Sequence, residues 1–312
     1  MPDPLQLRLF RDWFIFYLAG RAALEGKPVY TVPGFFNPIQ VAWLLAPTTV
    51  LPFSTWVVVM CATSFALVVV LTRKKSHWTL LSLPFIFGLT MGTLDMFLWV
   101  PARLLGGWGL PLLTLKPQLA AFVIPLQMRV WWQERNWKEF KRFGLVTAWL
   151  WGIPILLRPQ WIGEWLRAAS ISVPDRLHWA ASIAGFSTVT GGEWFYFVLF
   201  AIVLAILLIR GRNEYYLAAS FAPFIWPSDW VITTEFITWR FTVLSWLLVP
   251  TGIGVNGAQF YFLLGILIWI EQNFEQIKQR ITRWFPFLRG QRGENQMPET
   301  TSIDKASREE KP

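Results

Sequence analysis

Ionisable side chains are sparse in this chain, and several stand inside apolar surroundings, where each is a chemical candidate. Asp95 lies within the apolar block Trp78 to Val100, and Lys116 follows an interruption made by Gly106, Gly107, Gly109 and Pro111. Ionisable groups in such sequence face a cavity or a partner rather than lipid. Two readings stay open for this pair: an ion pair that holds a broken helix together, or a polar pocket that receives a phosphate-bearing lipid. Asp12 opens a stretch ending at Gly26 that reads as a helix with an aspartate N-cap and a glycine stop. Capping is also the plain reading of Asp229 after Pro227-Ser228, and snorkelling that of Arg240 one helical length further on. Arg158, Asp175, Arg176 and His178 decorate a connecting stretch and read mostly as surface residues.

Other signals exclude chemistry. Gly252-Ile-Gly-Val-Asn-Gly257 matches the dinucleotide fingerprint in its letters, but it follows Pro250 in apolar sequence without a strand-helix-strand context, so it reads as a loop or helix break. No Walker loop occurs. With His77 and His178 the only histidines, no histidine metal site and no cofactor are expected.

The elements that must position these residues are legible in the composition. Apolar residues make up 54% of the 312 and charged residues 15%, against about 25% charged in an ordinary soluble domain. The apolar residues gather in blocks, among them Trp56 to Leu71, Trp78 to Val100, Leu119 to Trp132, Phe195 to Ile209 and Phe260 to Ile270. Several approach the roughly 20 residues a helix needs to cross a bilayer. Backbone groups in lipid must pair within a helix or a closed barrel, and these blocks lack strand alternation. The expected fold is therefore all-α, a polytopic transmembrane helical bundle with broken or re-entrant helices, multi-pass in the cell membrane.

Tryptophans at block edges, such as Trp56, Trp78, Trp131, Trp132, Trp194 and Trp269, suit an interfacial belt. The net charge of +9 gathers in short connections at Arg73 to Lys75, Arg129 to Arg142, Arg210 to Arg212 and Lys278 to Arg292. Orientation with these connections in the cytoplasm explains them better than a nucleic-acid partner. That orientation has Trp78 to Val100 crossing outward, and makes Leu104 to Leu115 a re-entrant or broken segment. It also divides the chain into a membrane-embedded domain over residues 1–289 and a disordered cytoplasmic tail over 290–312. Within the domain, residues 1–38 form an outer-face interfacial segment, 158–192 a long outer loop and 271–289 an interfacial helix. Cys61, alone in an apolar block, is a packing residue.

The order Asp12, Tyr17, Ala22-Ala23-Leu24, Gly26 and Tyr30, followed by Phe36-Asn37-Pro38 and Ala46-Pro47, resembles the opening of bacterial membrane glycosyltransferases of the type C fold. The likeness is to the polyprenyl-phosphate-mannose-dependent α-mannosyltransferases, and it continues at Gly92-Thr-Leu-Asp95 and Leu115-Lys116-Pro117-Gln118. The resemblance implies transfer of a sugar, mannose in that family, from a polyprenyl phosphate to an acceptor hydroxyl of a lipid or glycan. The transfer runs with inversion on the outer face of the membrane. The acidic residue of the family's first outer loop maps onto Asp12 as general base. A cation beside the departing phosphate is then needed, Lys116 first and Arg103 second, with Asp95, Tyr17, Tyr30, Asp229 and His178 as further substrate-binding candidates. Two departures accompany the likeness. Asp95 replaces an amide, and only eleven residues precede Asp12 where the family places a complete span, so a missing first span is expected. A multi-span transporter or lipid flippase, and a noncatalytic subunit derived from such a transferase, are the alternatives.

Overall fold

The structure is a computed structural model that describes residues 9–73, 76–172, 180–187, 192–211, 213–223, 226–248 and 260–284. The regular structure of the described residues is helical, in α or 3-10 form, with no strand among them. His178, the Gly252 to Gly257 motif and the tail over 290–312 lie outside the described residues. The chain divides after Trp269 into a large unit and a small one that starts at Ile270.

The first helix, α1 (Arg11–Leu24), is ended as its sequence demands. Gly26 takes a left-handed φ of 69°, and Lys27 N–H donates to the Ala22 carbonyl at 2.8 Å, closing the helix in a Schellman-type turn. Its start differs from expectation. Phe10 occupies the N-cap with φ 59°, no side chain caps the helix, and Asp12 sits inside the first turn, half-buried. There its carboxylate meets the positive end of the helix dipole without closing the cap. The buried face of α1 packs on α2 (Ile39–Leu45) and the 3-10 turn Ala46–Val50, with Thr49 fitted against Gly20.

Among the described residues two helices are long and apolar enough to cross a membrane, α3 (Phe53–Thr72) and α8 (Trp137–Leu157). In α3 a narrow stripe of Trp56, Val57, Met60, Ser64 and Val68 is buried, while Val58, Val59, Phe65, Val69 and Val70 are exposed. A helix apolar on all sides but buried on one stripe leaves a large apolar face unpartnered within the chain.

The block Trp78 to Val100, expected as one crossing, is instead three helices: α4 (Ser76–Leu81), α5 (Leu83–Met91) and α6 (Asp95–Leu104). Ser82 is the N-cap residue at the first break, and Pro84 falls in the first turn of α5, where its missing N–H is not needed. At the second, Gly92 adopts φ 87° and a Cβ there would lie 2.2 Å from the Trp13 ring, so only glycine permits both the turn and the docking of α1. The chain thus changes direction at residues 92–94, between α5 and α6. After Leu104 the glycines break the helix as expected, into 3-10 turns Gly106–Trp108 and Leu110–Leu115. Gly109 lies against the Pro101 carbonyl, where a Cβ would stand 1.9 Å from the oxygen, and the second turn runs back antiparallel along α6.

Helix α7 (Pro117–Gln133) then leads to α8. Gly107 N–H donates to Glu139 Oε2 at 2.6 Å and Arg142 stacks on Trp108, so the glycine turn rests at the end of the molecule that carries the basic stretch 129–142. The orientation of Trp78 to Val100 drawn from charge alone put that turn at the other end. The difference follows from the break at Gly92. Beyond α8 come α9 (Trp161–Ser172), which places a helix inside the expected outer loop, and α10 (Glu193–Arg210). Helix α11 (Tyr215–Phe221), the long 3-10 stretch Pro227–Phe236 and α12 (Trp239–Leu247) fill the proline-broken region. The last helix, α13 (Phe262–Trp284), runs unbroken through Glu271, where a separate interfacial helix was expected to begin.

Two ends of the large unit can be distinguished. At one, Arg129 Nε donates to the Leu208 carbonyl at 3.1 Å and Gly211 lies against Gln133, which joins two of the basic connections. At the other, Trp165 Nε1 donates to the Phe36 carbonyl at 2.8 Å, joining α9 to the segment that follows α1. Helix α8 runs from the first end to the second.

Candidate functional site

Three chain breaks meet at one point and each supplies a charge. Asp95 begins α6 after the Gly92 turn, Lys116 separates the 3-10 turn from α7, and Asp229 lies in the stretch after Pro227. Lys116 Nζ contacts Asp95 Oδ1 and Asp229 Oδ1. The side chains are 13%, 1% and 0% exposed, in that order. Of the two readings of Asp95 with Lys116, the ion pair is the one present, and Asp229 completes it. Asp229 also performs the capping expected of it, since Oδ2 accepts Trp226 N–H at 2.7 Å. The cluster brings one ammonium and two carboxyl groups into contact. An ammonium has three hydrogens, so two carboxylate partners leave Lys116 one donor for a further acceptor.

The height of this cluster follows from α8. Its Glu139 holds Gly107, and its Trp151 donates from Nε1 to Thr114 Oγ1 at 2.8 Å, two residues before Lys116. Twelve residues of helix separate Glu139 from Trp151, about 18 Å at 1.5 Å per residue. The cluster therefore lies well inside the length of α8, far from the basic end.

Arg103 is eight residues beyond Asp95 on α6 and belongs to a different network. Its Nε donates to Glu235 Oε2 at 2.8 Å, the Tyr215 hydroxyl donates to the same oxygen at 3.1 Å, and the guanidinium stacks between Trp99 and Tyr215. Glu235 was not singled out in the sequence. It lies 132 residues from Arg103, and nothing in a linear reading links them.

Tyr17 borders an open cleft of about 720 Å³ with Arg21, Glu25, Lys27, Val32 and Leu51. Arg21 and Lys27 both pair with Glu25, at 3.0 and 2.7 Å. The hydrogen bond and charge of Lys27, with a smaller contribution from Arg21, hold the Glu25 carboxyl below its ordinary pKa. The pair Arg21 with Glu25 carries the i,i+4 spacing of a helix surface pair, the signal by which this cleft could have been found in the sequence. Tyr30 donates to the Asn37 carbonyl at 3.3 Å; burial, aided by Glu164, pushes its phenol well above the usual range, so it remains a donor.

Asp12 is not among the cleft residues. It precedes Arg21 by nine residues, about 900° of helix and so half a turn out of phase, and it shares the side of Phe16 and Ala19, which are buried. Its neighbour Trp13 abuts Gly92, and Asp95 follows Gly92 by three residues, no more than about 11 Å of chain. The first turn of α1 therefore docks on the Gly92 turn that leads into Asp95, on the side of the helix away from the cleft. The chain matches no family model, no curated protein and no solved structure.

Proposed function

We propose that this chain is a multi-span membrane glycosyltransferase that moves a sugar, mannose by its resemblance, from a polyprenyl phosphate to an acceptor hydroxyl on the outer face of the membrane, with inversion. What supports this reading is that the helix turn carrying the half-buried Asp12 docks, through Trp13, on Gly92, three residues from the Asp95 of a buried cluster that contains a lysine. Asp12 takes the acceptor proton as the oxygen attacks the anomeric carbon. The remaining donor of Lys116 meets an oxygen of the departing phosphate, whose charge grows in the transition state. The exposed apolar faces of α3, α8 and α10, including Phe65, Trp149, Leu156, Phe195 and Ile202, are the lipid-facing surface.

The test uses membranes that contain the full chain and a polyprenyl phosphate bearing radiolabelled mannose. Labelled glycan or glycolipid product is expected with the native chain, and Asp12→Asn is expected to lower turnover by at least a hundredfold, the contribution of a positioned general base. Unchanged turnover in Asp12→Asn removes Asp12 from the chemistry.

A second reading is favoured by the meeting of three helix breaks at buried charges, an arrangement equally suited to a transporter or lipid flippase. Under that reading Asp12→Asn leaves transport intact while substitution of Lys116 abolishes it.

A further inference from the structure

The open cleft of about 720 Å³ beside α1 holds neither Asp12 nor Lys116, and its lining has a charge and hydrogen-bond balance of its own. Arg21, Glu25 and Lys27 are the charged residues that line it. Arginine is always protonated, Lys27 is 68% exposed, and the two cations hold the exposed Glu25 carboxyl ionised, so the lining carries one net positive charge at neutral pH. Its spare side-chain donors belong to the cations. The Tyr17 hydroxyl donates to the Leu51 carbonyl at 3.0 Å and the Thr31 hydroxyl to the Pro28 carbonyl at 2.6 Å, which commits both hydrogens and leaves lone pairs. Arg21 gives Nη2 to Glu25 and Lys27 Nζ contacts the same carboxylate, so each keeps further N–H groups. At the end of α1 the carbonyls of Arg21, Ala22 and Ala23 accept from Glu25, Lys27 and Gly26, so these negative dipole ends are already answered.

The height of the cleft follows from α3. Pro52 lines the cleft and precedes that helix, whose 20 residues extend about 30 Å to Arg73 in a basic connection. In a bilayer crossed by α3 the cleft stands at headgroup level, on the face opposite Arg73. Helix α3 is buried on a narrow stripe alone, and its exposed apolar face begins at Val58, six residues or about 9 Å of helix from Pro52.

We propose that this cleft seats the headgroup of an anionic phospholipid, its phosphate between Arg21 and Lys27 and its acyl chains along α3. A phosphodiester brings one negative charge and acceptor oxygens, the complement of two cations with spare N–H groups. The hydroxyls of a glycerol headgroup would donate to the lone pairs of Tyr17 and Thr31, so phosphatidylglycerol suits the lining and a choline headgroup, which has no hydrogen to give, does not. Glu25 orients both cations and at the same time opposes an anion. The inference rests on the membrane crossing of α3 and not on sugar transfer.

The test is thermal unfolding of the purified full chain in neutral detergent, at fixed neutral pH and ionic strength, with short-chain phosphatidylglycerol, short-chain phosphatidylcholine or inorganic phosphate added. A ligand that binds only the folded state raises the midpoint by mass action, so the midpoint is expected to rise saturably with phosphatidylglycerol and not with the other two. Arg21→Gln and Lys27→Gln are each expected to weaken the apparent affinity about fivefold, the scale of one cation at an anionic lipid surface. Glu25→Gln is expected to strengthen it by a similar factor, although the variant loses both ion pairs; a carboxylate that only braced the cations would give the opposite sign. Equal responses to the two lipids, an affinity unchanged in the Arg21→Gln, Lys27→Gln double variant, or a weakened affinity in Glu25→Gln overturn the proposal. A response to inorganic phosphate equal to that of phosphatidylglycerol identifies a site for a free anion and overturns it as well. Binding is read without turnover, so a chain inactive in sugar transfer still gives the result.

Discussion

Lys116 is the residue on which both the local architecture and the proposed chemistry depend. It faces two carboxylates that are almost wholly buried, and without it those carboxylates confront each other with no counter-charge. Breaking a buried ion pair by removing one partner costs about 3–5 kcal/mol. Lys116→Met is therefore expected to lower stability by that amount in detergent unfolding, and adding Asp95→Asn and Asp229→Asn is expected to restore a part of it. A loss below about 1 kcal/mol would show that the carboxylates are already neutralised by other means. Because stability and donor binding both draw on Lys116, turnover of this variant is to be compared per folded molecule. The sequence exposed two members of the cluster, Asp95 and Lys116, because each is a charge in an apolar neighbourhood. It could not expose Asp229 as their partner, since capping explained that residue without any distant contact, and the capping is also real.

At the level of elements, the break between α5 and α6 is the feature that hydropathy concealed. The block Trp78 to Val100 is long enough to cross, and hydropathy is blind to a turn made of Gly92, Thr93 and Leu94. The one local signal is Gly92 itself, whose φ of 87° is open to few residues and whose missing Cβ admits Trp13. Gly92→Ala is expected to separate α1 from the Gly92 turn, with a stability loss of about 1–3 kcal/mol from overpacking plus the left-handed backbone. Through the displaced first turn it should also lower Asp12-dependent transfer. If Gly92→Ala unfolds at the native midpoint with native turnover, the docking of α1 on that turn is wrong. The glycine-rich break after Leu104, by contrast, was legible. Four breakers within six residues leave no room for a regular helix, and the structure has only 3-10 turns there.

For the whole molecule, the basic connections at 129–142 and 210–212 meet as their shared charge suggested, whereas Trp56 and Trp131, expected in an interfacial belt, are buried in the core. The contacts of Arg129 with Leu208 and of Trp165 with Phe36 assign pairs of distant connections to the same ends. The number of crossings was less legible. Among the described residues only α3 and α8 are both long and apolar enough to cross, and the block Trp78 to Val100 is divided at Ser82 and Gly92. The account stands on α8, whose 21 residues extend about 31 Å, close to the thickness of a hydrocarbon core. The most direct test places a single cysteine at Lys138, in the first turn of α8, or at Gly163, six residues past its end, in a chain with Cys61→Ala. Intact cells are then treated with a membrane-impermeant maleimide. Labelling at Gly163 from outside, with Lys138 labelled only after the cells are opened, is the predicted result; labelling of both positions from the same side would contradict the crossing.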